Sequence, residues 1–173
     1  SAEGGSACGG KVDNHKLIRT GEGGKEFVVV FKEESESLVD IVITEADIEN
    51  LKRAKAAIYS ATAILVKHMN LKFAEIKKIF IAGGFGTYLD IENAIRIGLL
   101  PDLERSKFIF IGNSALAGAR QTLLSYEATK TANEIARKIT YFELSVDAGY
   151  MDEYMAALFF PHTDLSKFPS MRV

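Results

Sequence analysis

The residues best suited to chemistry are glycines. Ile79-Phe80-Ile81-Ala82 is a short apolar run that ends in Gly83-Gly84-Phe85-Gly86, and Asp90 then opens a polar, helix-like stretch. A glycine turn at the carboxyl edge of a sheet lets a ligand approach the main chain, because no Cβ stands in the way. Backbone N–H groups at the start of the next helix favour an anion there. The pattern recurs at Phe108-Ile109-Phe110-Ile111, followed by Gly112-Asn113-Ser114. Two such tips side by side would line one crevice. Gly83, Gly84, Phe85, Gly86, Asn113 and Ser114 are therefore the candidate cofactor-binding residues. Asn113 can hydrogen-bond a base, a ribose or a neighbouring loop, and Ser114 can also serve as a helix cap. Asp90 reads as an N-cap, and Glu92 suits the first turn whatever the function. A tight strand-to-helix turn can also carry this sequence with no ligand.

Other chemistries lack their parts. His162, Thr163 and Asp164 are adjacent, but neighbours in sequence do not make a triad. No Gly-x-x-x-x-Gly-Lys-Ser/Thr loop is present. No carboxylate stands out as a holder of Mg²⁺ for phosphoryl transfer, so no catalytic residue is assigned. The pattern describes the nucleoside side of a pocket without its phosphate side.

The bulk properties narrow the class. A chain of 173 residues suits one domain and can bury roughly 70% of its unfolded surface without a disulfide or metal. The net charge is −2 and its 21 Lys and Arg are dispersed, which argues against nucleic acid. A single cysteine, Cys8, cannot hold an iron–sulfur cluster within this chain. His15, His68 and His162 lack ligand spacing, so no metal site is expected. No apolar run reaches the ~20 residues of a membrane span, and the start has no signal-peptide pattern. The expectation is a cytoplasmic protein.

The elements that must position the glycine tips can be read in order. Residues 1–15, glycine-rich at the start, are the poorly defined edge of a fragment. Lys16–Thr20 and Glu26–Phe31 read as strands around a Gly21-to-Gly24 turn, and Leu38–Ile43 as a third. Phe27 to Phe31 is apolar throughout, as in a strand buried on both faces. Thr44 and Asp47 form an N-terminal capping pair for a long helix. Its stripe Ile48, Leu51, Ala54, Ile58, Ala61, Leu65, Met69 is expected to face the core. On that reading Leu65→Ala costs about 2–5 kcal/mol. Then come the strand 78–82, a helix from about Asp90 to Gly98, the strand 107–111, and a helix capped by Ser114. Small residues from Ala115 to Ala119 would let that helix lie close on the sheet. Further helix is expected over 127–138 and 153–160, with an extra strand over 140–144, and Phe159, Phe160 and Phe168 pin the tail.

Three hairpin-connected strands followed by alternating helices and strands describe an α/β, ribonuclease-H-like unit of the kind that builds actin-like ATPase domains. It is a half-domain with a mixed sheet and flanking helices. Residues 16–173 form this unit, with a C-terminal helical extension. A Rossmann reading fits less well, because Gly-Gly-Phe-Gly is not Gly-x-Gly-x-x-Gly and the opening is a meander.

Several runs also carry a family likeness: Ile43-Thr44-Glu45-Ala46-Asp47-Ile48, Lys52 to Ile58, Ile81-Ala82-Gly83-Gly84-Phe85-Gly86, Arg96 to Pro101, Gly112 to Ala119, and Ala157 to Asp164. In these, over about residues 41–169, the chain resembles the carboxy-terminal part of the reductive activators of corrinoid proteins and their uncharacterised iron–sulfur relatives. The resemblance implies an actin-like ATPase domain joined to a ferredoxin-like iron–sulfur domain, and makes residues 16–173 the second actin-like subdomain. In such proteins ATP binding and hydrolysis drive reduction of an inactive Co(II) corrinoid protein to Co(I). It implies ATP with Mg²⁺ as cofactor and places Gly83, Gly84 and Phe85 in the adenosine-side glycine motif. It places an iron–sulfur cluster, [2Fe–2S] being the type expected, in a domain this chain lacks. The implied partner is a corrinoid protein, with a homodimer also open and neither nucleic acid nor membrane involved. The isolated chain is expected to be inactive. The alternative is a protein-interaction or dimerisation module that binds no nucleotide.

Overall fold

A computed structural model describes residues 17–21, 23–84 and 88–171. The expected fragment edge at residues 1–15 and the candidate residues Phe85 and Gly86 lie outside the described residues. The chain divides into two compact units, Ser1–Lys55 and Ala56–Val173, and the division falls within a long helix. It is α/β, with antiparallel pairing in the first unit, parallel pairing in the second, and flanking helices.

In the first unit β1 (Ile18–Gly21), β2 (Gly24–Val30) and β3 (Ile41–Thr44) form an antiparallel meander. Gly24 has φ +112°, the left-handed region that the glycine-rich turn requires. Phe27 faces Ile18 on one side and Ile43 on the other, and these three side chains are exposed while Val28 is buried. The apolar run 27–31 is thus not buried on both faces; it alternates as one-sided strands do. The third strand starts later than expected. Leu38 has φ +58°, and the Asp40 carboxylate accepts from Lys32 N–H at 2.7 Å and from Arg19 at 2.5 Å. These contacts shape a loop that leaves Ile41 as the first residue able to pair.

Helix α1 (Glu45–His68) begins on the predicted pair. Thr44 N–H donates to Asp47 Oδ2 at 2.9 Å, and Asp47 N–H donates to Thr44 Oγ1 at 3.1 Å. Aspartate closes the capping box as glutamate usually does. Lys55 is fully buried, and loss of water, with Lys52 nearby, pulls its ammonium down to about 8.

In the second unit the buried side of α1 is Ala56, Tyr59, Ser60 and Ile64. The stripe through Ile58, Leu65 and Met69 is exposed, which overturns the expected core face. At about 100° per residue, Ala56 and Ile58 lie nearly opposite. Both sides are apolar, and the one with small residues beside Tyr59 meets the core. Ser60 is tolerated there because its hydroxyl donates to Ala56 O at 2.7 Å.

Strand β4 (Ile79–Ala82) pairs in parallel with β5 (Phe108–Gly112), with a register shift at Ile81/Ala82. The core gathers Ala56, Tyr59, Ile95, Phe108, Ala157 and Phe168. Helix α2 (Ile91–Arg96) ends two residues short of the expected Gly98, whose φ is +76°. A Cβ on Gly98 would lie 2.1 Å from Pro161 O, so the C-terminal segment seats directly on the glycine.

Helices α3 (Ser114–Leu124) and α4 (Tyr126–Lys138) pack on each other, Thr129 Oγ1 donating to Thr122 O at 2.8 Å. Neither helix buries a residue, so the small residues 115–119 do not lie against a sheet. No strand forms over 140–144. Instead Glu143 accepts from Ser145 N–H and from the Tyr141 hydroxyl, and a single 3-10 turn follows. Helix α5 (Tyr150–Ala157) closes earlier than expected, ahead of the Phe160–Pro161 pair, which restricts the helical conformation. Phe168 is 0% exposed and does pin the tail, whereas Phe159 points outward. No helix among the described residues is long and apolar enough to cross a membrane.

Candidate functional site

The two glycine tips meet. Gly83 N–H donates to Gly112 O at 2.8 Å, joining the ends of β4 and β5. Gly83 (φ +90°) and Gly112 (φ +61°) both hold left-handed conformations, so glycine is required at each for backbone reasons. Among the described residues, a Cβ at Gly83, Gly84 or Gly112 would meet nothing within 4 Å.

The polar residues divide between support and contact. Asn113, not Ser114, caps α3: Leu116 N–H donates to Asn113 Oδ1 at 3.0 Å, and Ser114 is the first helical residue. Both are competent caps by type, and the backbone at Asn113, outside helical values, decides between them. The Asn113 amide nitrogen has no partner among the described residues, which leaves it able to donate. Asp90 caps α2 as expected, accepting from Asn93 N–H at 2.7 Å. Glu92 is held by Arg105 through Nε at 2.7 Å and Nη2 at 2.9 Å, and these bonds keep its carboxyl below the usual range. It is thus committed to Arg105. Tyr88 is exposed.

Gly112 belongs with the named glycines, since its carbonyl receives the bond that joins the tips. Its signal in the sequence is its place at the end of an apolar strand. The tips form one wall. An open groove of about 710 Å³ lies elsewhere in the second unit, lined by Ile64, Lys67, Leu71, Phe73, Glu153 and Lys167 among others. No group of three or more metal-ligating side chains gathers among the described residues.

The family model described as "C-terminal domain of RACo the ASKHA domain" matches residues 6–172. The chain belongs to this family. The match begins well before the region over which the sequence motifs are recognisable. This RACo C-terminal domain is 40% identical over 129 residues to the corrinoid activation enzyme RamQ of Eubacterium limosum, covering 75% of the chain and 22% of the relative. It is 35% identical over 100 residues to the [Co(II) methylated amine-specific corrinoid protein] reductase of Methanosarcina barkeri, covering 58% and 18%. A solved structure of a reductive activator for corrinoid, iron-sulfur protein superposes with a TM-score of 0.84 at 54% identity. That superposition covers 90% of this chain and 25% of the solved one. The chain thus spans about a fifth to a quarter of the proteins it matches.

Proposed function

We propose that this domain supplies the adenosine side of the nucleotide cleft in an ATP-dependent reductive activator of a corrinoid protein. The observation that carries the reading is the open pair of glycine tips, locked together by the Gly83–Gly112 hydrogen bond with no Cβ above them. The names of the relatives, all concerned with corrinoid proteins, support the partner. Gly83 and Gly84 would lie under the nucleoside, and the Asn113 amide would donate to its base or ribose. Phe85, Gly86 and Ser114 complete the proposed contact set. Residues 16–173 would act as the second actin-like subdomain, with the phosphate wall, the Mg²⁺ carboxylate and the iron–sulfur cluster on other parts of a longer protein. ATP, when bound, supplies the free energy that drives the corrinoid to Co(I). The cytoplasm is the compartment this chemistry implies.

Calorimetric titration of the chain with Mg-ADP tests the site. Saturable binding in the micromolar range is expected, and Gly84→Val should abolish it. Gly84 lies outside the left-handed region and no described residue lies within 4 Å of its Cβ position, so valine should leave the fold intact by circular dichroism. The added side chain fills the space the nucleoside needs. Unchanged affinity in a folded Gly84→Val variant overturns the assignment.

A further inference from the structure

The run Phe160-Pro161-His162-Thr163-Asp164 plays no part in the nucleotide reading, yet the structure builds a specific site around it. His162 is 3% exposed, its ring 5.5 Å from that of Tyr59 on α1 and 6.2 Å from that of Phe168. Asp164 N–H donates to His162 Nδ1 at 2.9 Å. That nitrogen therefore carries no proton, and the ring hydrogen is on Nε2, facing Glu153 Oε1 at 3.2 Å. The Glu153 carboxylate is also gripped by Lys167 Nζ at 2.6 and 2.7 Å. The two flanking turns are tied down as well, Thr163 N–H donating to Ala156 O at 3.1 Å and Ser166 N–H to Asp164 Oδ1 at 2.9 Å.

One protonation state fits this geometry. A second proton, on Nδ1, would point at the Asp164 N–H, setting two donors against each other. We propose that His162 is an acid-released latch: its neutral ring holds the segment 162–171 against the rest of the second unit, and charging the ring lets that segment go.

The groups facing the ring pull in both directions. Glu153 from α5 and Asp164 from the same loop favour the imidazolium, Lys167 opposes it, and Tyr59 faces it as a neutral phenol. Burial opposes the charge most, and the ring is held below its ordinary 6.5. The released segment, with its ring in water, titrates near 6.5. Between the two values the released form binds one proton more than the closed form, so falling pH favours release by up to roughly tenfold per pH unit. Above 6.5 the latch stays shut. Release withdraws Phe168 from the core and breaks the bonds from Ser170 N–H and Oγ–H to the Asp102 carboxylate, 2.7 and 2.8 Å long.

The test is an NMR titration of the 173-residue chain from pH 7.5 to 4.5, following each histidine ring, the Asp164 amide and hydrogen-exchange protection over residues 162–171. Below 6.5, protection of the segment should fall by up to about tenfold per pH unit, in step with the charging of His162. Glu153→Gln removes the negative charge that favours the imidazolium, lowers the closed ring's pKa further, and should extend the fall in protection to lower pH before it levels off. His162→Asn, whose side-chain oxygen can accept from Asp164 N–H but cannot be charged, should show protection of 162–171 that does not vary over this range. A His162 ring that charges while the Asp164 amide keeps its protection would overturn the proposal. So would a fall in protection that levels off in Glu153→Gln at the wild-type pH or above it, or a His162→Asn variant with the wild-type pH dependence.

Discussion

Two glycines show how far a single Cβ can differ in consequence. At Gly98 the backbone is left-handed and a methyl group would meet the carbonyl of Pro161 at 2.1 Å. Gly98→Ala should therefore lower stability by about 1–3 kcal/mol from backbone strain, with the steric clash in addition. At Gly118, inside α3, a Cβ would meet no described residue within 4 Å and the helix gains from losing a flexible residue. Gly118→Ala should stabilise that helix by about 0.5–1 kcal/mol. Urea melts of the first variant and helix content by circular dichroism for the second check the opposite signs. The glycines of the tips follow the same logic at the site. Gly83 and Gly112 are fixed by backbone conformation, while at Gly84 a Cβ would meet no described residue within 4 Å.

At the scale of elements, helix ends are held by short-range bonds and helix faces by distant partners. Thr44 forms half of the α1 capping box, and Thr44→Ala should cost about 1 kcal/mol in a denaturant melt. The face of α1 gives a sharper contrast. Phe168→Ala removes a fully buried ring from the cluster on that helix and should cost about 3–5 kcal/mol. Leu65→Ala, 42% exposed, should cost less than about 1 kcal/mol, against the larger loss its place in the apolar stripe implies. The difference marks what could be read from sequence. Caps at Thr44 and Asp90, and strands β4 and β5, were legible because they depend on residues a few positions apart. The glycine tips were legible for the same reason, since a strand that ends in glycine announces its own backbone need. The buried side of α1 was not, because both sides are apolar and only Tyr59, Phe108 and Phe168 together select one. Asn113 and Ser114 are equally able caps by type, and the choice rests on a backbone angle. The run after Thr140 pairs with no strand among the described residues, so its β character finds no use.

At the scale of the molecule, the family likeness rests on runs spread over both units, which is why the fold class was readable while individual faces were not. The many exposed apolar residues, on β2, on α1 and along the α3–α4 hairpin, belong to a chain that spans a quarter or less of the proteins it matches. The second unit's core has a further property, set by the order of its parts along the chain. Tyr59 lies near its start and Phe168 near its end, and Asp102 reaches its Ser170 partner across 68 residues. Contacts of such long sequence separation form late and slowly, because a large loop must close before they repay it. On a ribosome, α1 leaves the exit tunnel long before the phenylalanine that covers its tyrosine has been added. For that interval the helix shows its apolar sides to whatever is nearby, and the nascent chain is a natural client for a holding chaperone.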